Sequence, residues 1–193
     1  MNKNRVEAFS DGVLAIIITI MVLELKRPER ADLAALRPLI PVLLSYLLSF
    51  IYIGIYWNNH HHLFHATKRV NGAVLWANLH LLFWLSLVPF ATAWMGEGHI
   101  ASEPVALYGC ILQMAGVAYY ILQSVIIADQ GPDSLLRSAI GFDWKGKSSL
   151  ILYFAAIGLA FVNPWISVGL YTAVAFMWLI PDTRIERRLR ENV

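Results

Sequence analysis

Long apolar stretches separated by short polar segments dominate the sequence. Most are about 20 residues long, the length that an α-helix needs to cross the ~30 Å hydrocarbon core of a bilayer. They predict six helices, at approximately residues 4–25, 36–57, 73–95, 104–128, 149–162 and 164–180. The fifth stretch is short for a full crossing, and Asn163-Pro164 leaves only a tight turn before the sixth. We therefore expect the last two helices to form a close hairpin.

The composition places these helices in a membrane. Of the 193 residues, 58% are hydrophobic and only 15% are charged, which is unusual for a soluble globular protein. No internal repeat is evident, so residues 1–193 are expected to form a single all-α domain with six transmembrane helices. Cys110 is the only cysteine, which excludes an intrachain disulfide and a cysteine-based metal cluster.

The lysines and arginines are distributed unequally between the two sides of this six-span arrangement. The side that carries both termini holds Lys3, Arg5, Lys68, Arg69, Arg137, Lys145, Lys147, Arg184, Arg187, Arg188 and Arg190, and the other holds Lys26, Arg27, Arg30 and Arg37. Because positively charged loops are retained in the cytoplasm, both termini are expected to be cytoplasmic.

The first helix places ionisable residues within or beside the membrane, where they are costly unless paired or hydrated. Arg5 and Glu7 are close enough to the helix start to reach the headgroups. Asp11 is deeper and shorter, and it lies about 120° from Arg5 around the helix. We therefore expect Asp11 to find its partner on another helix.

One face of the first helix combines small, hydroxyl and branched aliphatic residues. Gly12, Ile16, Thr19, Ile20 and Leu23 share an arc of about 100°. Ordinary helix packing uses small residues in the same way, and that interpretation stays open. If several copies surround an axis, the arc instead becomes a pore lining with aliphatic rings and one hydroxyl ring, and hydrophobic constrictions of this kind can gate by dewetting.

The segment RVEAFSDGVLAIIITIMVLEL resembles the start of the transmembrane protein 175 family, because it carries Arg5, Phe9, Ser10 and Asp11 in an R-x-x-x-F-S-D pattern. Further matches to the family pattern are Ala15, Ile16, Thr19, Trp57, His60, His61, Asn78, Leu79, Pro89, Phe90 and Thr92. The motifs cover roughly the first half of the chain, and the architecture covers all of it.

The resemblance implies a potassium channel, with no enzymatic activity, no cofactor and no metal site. Relatives with one six-helix unit per chain are prokaryotic and assemble as tetramers, whereas animal members join two such units and dimerise. This chain is therefore expected to form a homotetramer in a prokaryotic plasma membrane. Its expected partners are potassium ions and the lipid bilayer, with no nucleic acid.

The resemblance also implies roles for individual residues. The first helix lines the pore in this family, and an isoleucine that corresponds to Ile16 forms its constriction. Thr19, Ile20 and Leu23 follow as further layers. The four signature residues are implied to support the pore helix through neighbouring helices. His80 and Trp84 are candidate partners in that network.

Selectivity must arise without the familiar filter, because the sequence contains no TVGYG-like segment. We expect a modest preference for potassium over sodium, produced by partial dehydration at the aliphatic and hydroxyl rings.

A histidine-rich run, WNNHHHLFH, suggests an alternative function. His62 and His65 lie one helical turn apart, a spacing compatible with metal ligands. However, membrane di-iron enzymes use more histidines than the six of this chain, so hydrogen bonding or a response to pH is favoured over a metal-dependent enzyme.

Two further alternatives involve protons. A proton-coupled secondary transporter would use Arg5, Asp11 and the histidines as a path through the membrane, although no repeated, interrupted helices support it. Proton permeation through the same pore is the milder alternative.

Overall fold

The computed structural model describes residues 3–28, 31–131 and 143–179. These residues form a bundle of helices, and no strand occurs within the described ranges. The helices are α1 (Lys3–Leu23), a 3-10 helix (Leu33–Leu39), α2 (Ile40–His65), α3 (Gly72–Ser86), α4 (Val88–Glu97), α5 (Ser102–Gln130), α6 (Trp144–Leu159) and α7 (Pro164–Leu179). The all-α prediction is confirmed. Parts of the earlier expectations lie outside the described residues, namely those on Arg30, Arg137, Ile180, Arg184, Arg187, Arg188 and Arg190.

Helical segments at four places are long and apolar enough to cross a membrane. They are residues 3–23, 33–65, 72–97 and 102–130. The hairpin of α6 and α7 packs against them, and each of its helices has 16 residues, about 24 Å of helix. Asn163 starts α7 by accepting a hydrogen bond from the backbone N–H of Trp165 (3.0 Å), and Ser167 donates to the carbonyl of Ala156 on α6 (2.6 Å).

The second and third helices differ from their predicted bounds. The second continues to His65 instead of ending at Trp57, so the histidine run is helical. The third is divided into α3 and α4 near Leu87, because Pro89 has no N–H to donate and ends the regular hydrogen bonding of the preceding turn. The chain nevertheless continues in the same general direction, and the backbone N–H of Ala91 donates to the carbonyl of Leu87 (3.2 Å).

The helices alternate in direction, except that α3 and α4 run the same way, and this gives the bundle two ends. We call the end at which α1 begins the amino-terminal end and the other the distal end. Helix α1 packs against α2, α3 and α4, while α5 is the central helix and packs against α3, α4, α6 and α7. At the distal end, Lys26 forms an ion pair with Glu97 (2.6 Å), which raises the pKa of Lys26 above its ordinary value. Both side chains are largely exposed, so this pair contributes little stability.

A glycine sets the distance between two of these helices. A Cβ atom placed on Gly96 of α4 would lie 2.7 Å from the backbone Cα of Val42 on α2. Only glycine allows this approach, and it brings the distal half of α4 against α2.

Candidate functional site

Helix α1 has one face that packs inside the helical bundle and one face on its outside. The inner face is formed by Val6, Ser10, Leu14, Ile17 and Met21, all of which are buried. These residues recur every three or four positions, as expected of a helix that packs along one stripe. The packing interpretation of helix one therefore applies to this stripe, which is not the arc of Gly12 and Ile16.

The residues of the predicted arc lie together on the outer face of α1. Ile16 is 61% exposed, Ile20 42% and Leu23 76%, and Gly12 and Thr19 are exposed as well. The Thr19 hydroxyl donates a hydrogen bond to the carbonyl of Ala15 (2.8 Å), so the hydroxyl proton already has an acceptor within α1. The hydroxyl oxygen remains available as an acceptor on the exposed side.

Ser10 anchors the inner face through a buried chain of hydrogen bonds. The Nε2 of His60 on α2 bonds to Oδ1 of Asn78 on α3 (2.8 Å), and Nδ2 of Asn78 donates to the Ser10 hydroxyl (3.0 Å). Ser10 in turn donates to the carbonyl of Val6 (2.8 Å). Because an amide oxygen can only accept, His60 carries its proton on Nε2 in this arrangement. The chain ties α1, α2 and α3 together in their shared interior.

Asp11 has its partner on another helix, as expected, but the partner is a different residue. The indole Nε1 of Trp57 on α2 donates to Oδ1 of Asp11 (3.0 Å). The candidate partners were His80 and Trp84, and the Trp84 indole instead donates to Nε2 of His80 within α3 (3.0 Å). Among the described residues, this pair has no hydrogen bond to the signature. The reason is rotational, since Asp11 lies about 100° from Ser10 around α1 and therefore points towards α2 instead of α3.

The other two signature residues lie on the outer face. At 100° per residue, Arg5 and Phe9 share the arc of Gly12 and Leu23. Arg5 is exposed, and Phe9 is 55% exposed. The signature therefore divides in three: Ser10 points inward, Asp11 points sideways to α2, and Arg5 and Phe9 continue the exposed stripe towards the amino-terminal end.

A second buried polar cluster lies nearer the distal end. The Ser49 hydroxyl on α2 is 2.6 Å from the Thr92 hydroxyl on α4 and 3.0 Å from the Tyr108 hydroxyl on α5. Thr92 also lies 4.0 Å from the sulfur of Met21 on α1. This cluster connects α2, α4 and α5 directly behind the distal half of α1.

The remaining histidines of α2 lie close together, but they are not arranged as the ligands of a metal ion. The ring of His61 stacks on Trp57 (6.3 Å between centroids) and lies 5.6 Å from His62 and 6.2 Å from His65. In the described part of the chain, no group of three or more His, Cys, Asp or Glu side chains is placed to hold a metal ion.

The sequence placed Trp57, His60 and Asn78 in a family pattern and favoured hydrogen bonding for the histidine run, but it identified no partner for any of the three. The signal that could have found them is physical. A polar side chain in an apolar, membrane-length helix needs a hydrogen-bonding partner, so Asn78 and His60 had to be paired with polar residues of other helices.

These features define an all-α integral membrane protein in which one helix combines a supporting inner face with an exposed apolar and hydroxyl stripe. The family model described as the endosomal/lysosomal potassium channel TMEM175 matches residues 5–89. The chain is 58% identical over 192 residues to a potassium channel of Chryseobacterium sp. (strain P1-3), and the match covers all of both chains. The chain belongs to the TMEM175 family of channels.

The structure agrees with this assignment. It superimposes with a TM-score of 0.80 on the crystal structure of a lysosomal potassium-selective channel TMEM175 homolog from Chamaesiphon minutus, at 30% identity, covering 93% of this chain and 97% of that one. A mouse relative, an endosomal/lysosomal proton channel TMEM175, is 27% identical over 194 residues, which are 90% of this chain and 38% of the mouse protein. The family consists of ion channels and not of enzymes, so the prediction that the chain is not an enzyme is confirmed.

Proposed function

We propose that this chain is one subunit of a homotetrameric potassium channel in which α1 of each subunit lines the pore. Each subunit contributes residues 1–193 as a single six-helix domain in a prokaryotic plasma membrane. The observation that carries the proposal is the division of α1. The arc of Ile16, Thr19, Ile20 and Leu23 is exposed along its whole length, while the opposite stripe is buried in the subunit.

The chemistry of the exposed stripe favours an axis between subunits over contact with lipid. Arg5 extends this stripe at the start of the helix, where its charge requires headgroups or water. Gly12 lets neighbouring copies of the helix approach closely, and Thr19 presents a hydroxyl oxygen. A water-filled axis accommodates all of these groups, whereas the acyl chains of a bilayer would accommodate only the aliphatic ones.

In this arrangement the four residues form successive layers. Ile16 forms the hydrophobic constriction, Ile20 lies about 6 Å further along the helix, and Leu23 lies about 10 Å further. Thr19 supplies the hydroxyl ring between them. Potassium loses part of its hydration at these layers more cheaply than sodium does, which gives a modest preference without a carbonyl filter.

The signature residues hold the lining helix in place. Ser10 and Asp11 fix α1 to α3 and α2 through Asn78 and Trp57, while Arg5 and Phe9 face the neighbouring subunits near the start of the helix. The distribution of basic residues supports cytoplasmic termini, because the amino-terminal end carries more of the described basic residues than the distal end does. These are Lys3, Arg5, Lys68, Arg69, Lys145 and Lys147, against Lys26, Arg27 and Arg37.

The test is potassium flux into liposomes that contain the purified protein. Ile16→Asn makes the constriction wettable and should raise the flux severalfold, whereas Val22→Asn places the same side chain on another face of α1, where Val22 is 44% exposed. Val22→Asn should leave the flux per folded protein near the wild-type value. An unaltered flux in Ile16→Asn, or an equal rise in both variants, would assign the constriction elsewhere.

Proton permeation is the second candidate, and the name of the mouse relative as a proton channel is the observation that favours it. The same liposomes, loaded with a pH-sensitive dye, separate the two functions. Potassium flux that persists without a pH gradient supports the potassium channel. Proton uptake without potassium flux would indicate a proton channel instead of a potassium channel. Proton uptake that requires a second transported solute would indicate a coupled transporter.

A further inference from the structure

A cavity of about 260 Å³ opens at the amino-terminal end of the bundle, between α2, α5, α6 and α7. The α2 residues that line this cavity lie about 150° from Trp57 around the helix axis. The cavity is therefore on the opposite side of α2 from α1. Most of its walls are aromatic or aliphatic, formed by Tyr52, Ile55, Tyr56, Tyr119, Tyr120, Leu150, Tyr153 and Trp178. Neither the ion path nor the signature uses this space.

The cavity has a polar mouth and an apolar interior. Asp143 and Lys147 lie in the first turn of α6, where the cavity begins, and Leu150 and Tyr153 follow about one turn and two turns deeper. Lys145 adds a second cation at the mouth, 5.9 Å from the ring centroid of Trp178. Asp143 accepts a hydrogen bond from the backbone N–H of Gly146 (2.9 Å), so its charge is partly engaged by the helix that it caps.

A tyrosine hydroxyl inside the cavity has no partner. The Tyr52 hydroxyl donates to the carbonyl of Tyr171 (2.6 Å), and the Tyr119 hydroxyl is 3.3 Å from the carbonyl of Asn59. Tyr56 lies between them and is nine-tenths buried, yet within the described part of the chain its hydroxyl forms no hydrogen bond. Because Tyr56 lines the cavity, an oxygen of a bound ligand could supply the acceptor that the described residues do not.

We propose that this cavity binds an anionic phospholipid. One acyl chain occupies the aromatic interior, the ester carbonyl at its head accepts a hydrogen bond from Tyr56, and the phosphate lies beside Lys147 and Lys145. The order of these groups along a phospholipid matches their order from the interior to the mouth. Basic residues beside a cleft between membrane helices are a recognised setting for lipid head groups, and Trp178 lies at the end of α7, where indole rings favour the membrane interface.

The first experiment fills the cavity. A Cβ on Gly116 would lie 3.1 Å from Cδ2 of Leu150 and 3.9 Å from the Tyr56 hydroxyl, so Gly116→Leu directs a side chain into the acyl site. Gly158→Leu on α6 makes the same change where no atom lies within 4 Å. Phosphatidylglycerol binding to the purified protein, measured by native mass spectrometry, should weaken about tenfold in Gly116→Leu and stay unchanged in Gly158→Leu. Equal binding by the wild type and a folded Gly116→Leu overturns the proposal.

The second experiment tests the polar contacts and does not depend on whether Gly116→Leu folds. Lys147→Gln should weaken phosphatidylglycerol binding about tenfold and Tyr56→Phe about fivefold, because they remove a charged and a neutral hydrogen bond respectively. Lys68→Gln, an exposed cation at the same end of the bundle, should have no effect. Phosphatidylcholine should bind the wild type more weakly than phosphatidylglycerol.

Equal binding of the two lipids, or wild-type affinity in both Lys147→Gln and Tyr56→Phe, would rule out this site. The measurement needs no ion flux, so its result is independent of the proposed channel function.

Discussion

The indole of Trp57 on α2 donates a hydrogen bond to the carboxylate of Asp11 on α1 at 3.0 Å. Ser10, the preceding residue, is held by Asn78 of α3, about 100° away around the same helix. Two adjacent side chains are thus fixed in different directions by two different helices. This arrangement sets the rotation of α1 about its own axis, and it turns the arc of Ile16 and Thr19 away from the interior of the bundle.

We expect Trp57→Phe to destabilise the protein by about 1 kcal/mol, because it removes the donor to Asp11 and keeps an aromatic ring. For a chain of this size, that loss lowers the midpoint of thermal unfolding by about 2–4 °C. Trp76→Phe is the matched control, since Trp76 is strongly exposed on α3. Equal midpoints for the two variants in detergent would show that the bond contributes nothing measurable.

Asn78→Leu should be more damaging, with a loss of about 3 kcal/mol in the free energy of unfolding. Asn78 is buried and bonds to both His60 and Ser10, so the substitution leaves two polar groups without their partner. Asn58→Leu makes the same change at an exposed position of α2 and should stay within about 0.5 kcal/mol of the wild type. A mild effect of Asn78→Leu would mean that the chain of hydrogen bonds is dispensable.

Gly96→Ala should separate α4 from α2, because the new methyl group would meet the backbone of Val42 at 2.7 Å. Since that atom belongs to the backbone and not to a flexible side chain, we expect a loss of about 1–3 kcal/mol. Gly54→Ala on α2 has no atom within 4 Å and should be neutral, or stabilising by up to about 1 kcal/mol, through helix propensity. Thermal unfolding compares the two, and a neutral Gly96→Ala would show that the helices can adjust.

The Thr19 hydroxyl should determine most of the preference for potassium over sodium. Thr19→Ala removes the ring of oxygen atoms and should bring the two permeabilities close together, while Thr19→Ser keeps the hydroxyl and should preserve the preference. Reversal potentials across planar bilayers with opposed potassium and sodium gradients measure both. If Thr19→Ala keeps the wild-type reversal potential, selection arises at the aliphatic layers instead.

The features of the fold and the candidate site that depend on local pattern were predictable from the sequence. The period of α1 places Ile16, Thr19 and Leu23 on one face whatever surrounds the helix, and the structure places them there. The partner of Asp11 was not predictable, because it depends on how α2 is rotated and on how far it extends. The predicted bounds ended α2 at Trp57, and the sequence could not indicate which histidine of the run that follows would face Asn78 in the interior.

The division of the third span shows a different limit. Pro89 stands within an apolar run that is long enough for one crossing. Hydropathy therefore predicts a single helix where the backbone forms two, α3 and α4. A proline in that position predicts a kink or an end, and the choice between them depends on packing against α2 and α5. Thr92 and Ser49, which meet across that packing, could be recognised as partners only after the helices were placed.

The break near Leu87 divides the support of α1 between two helices. Asn78 of α3 holds the amino-terminal half of α1, while Thr92 of α4 contacts its distal half at Met21. The two halves of α1 therefore contact two separate helices, and the break near Leu87 lies between those helices. In the proposed channel, a change in the angle between α3 and α4 would bend α1 between these two contacts and alter the width of the passage at Ile16 while both contacts persist.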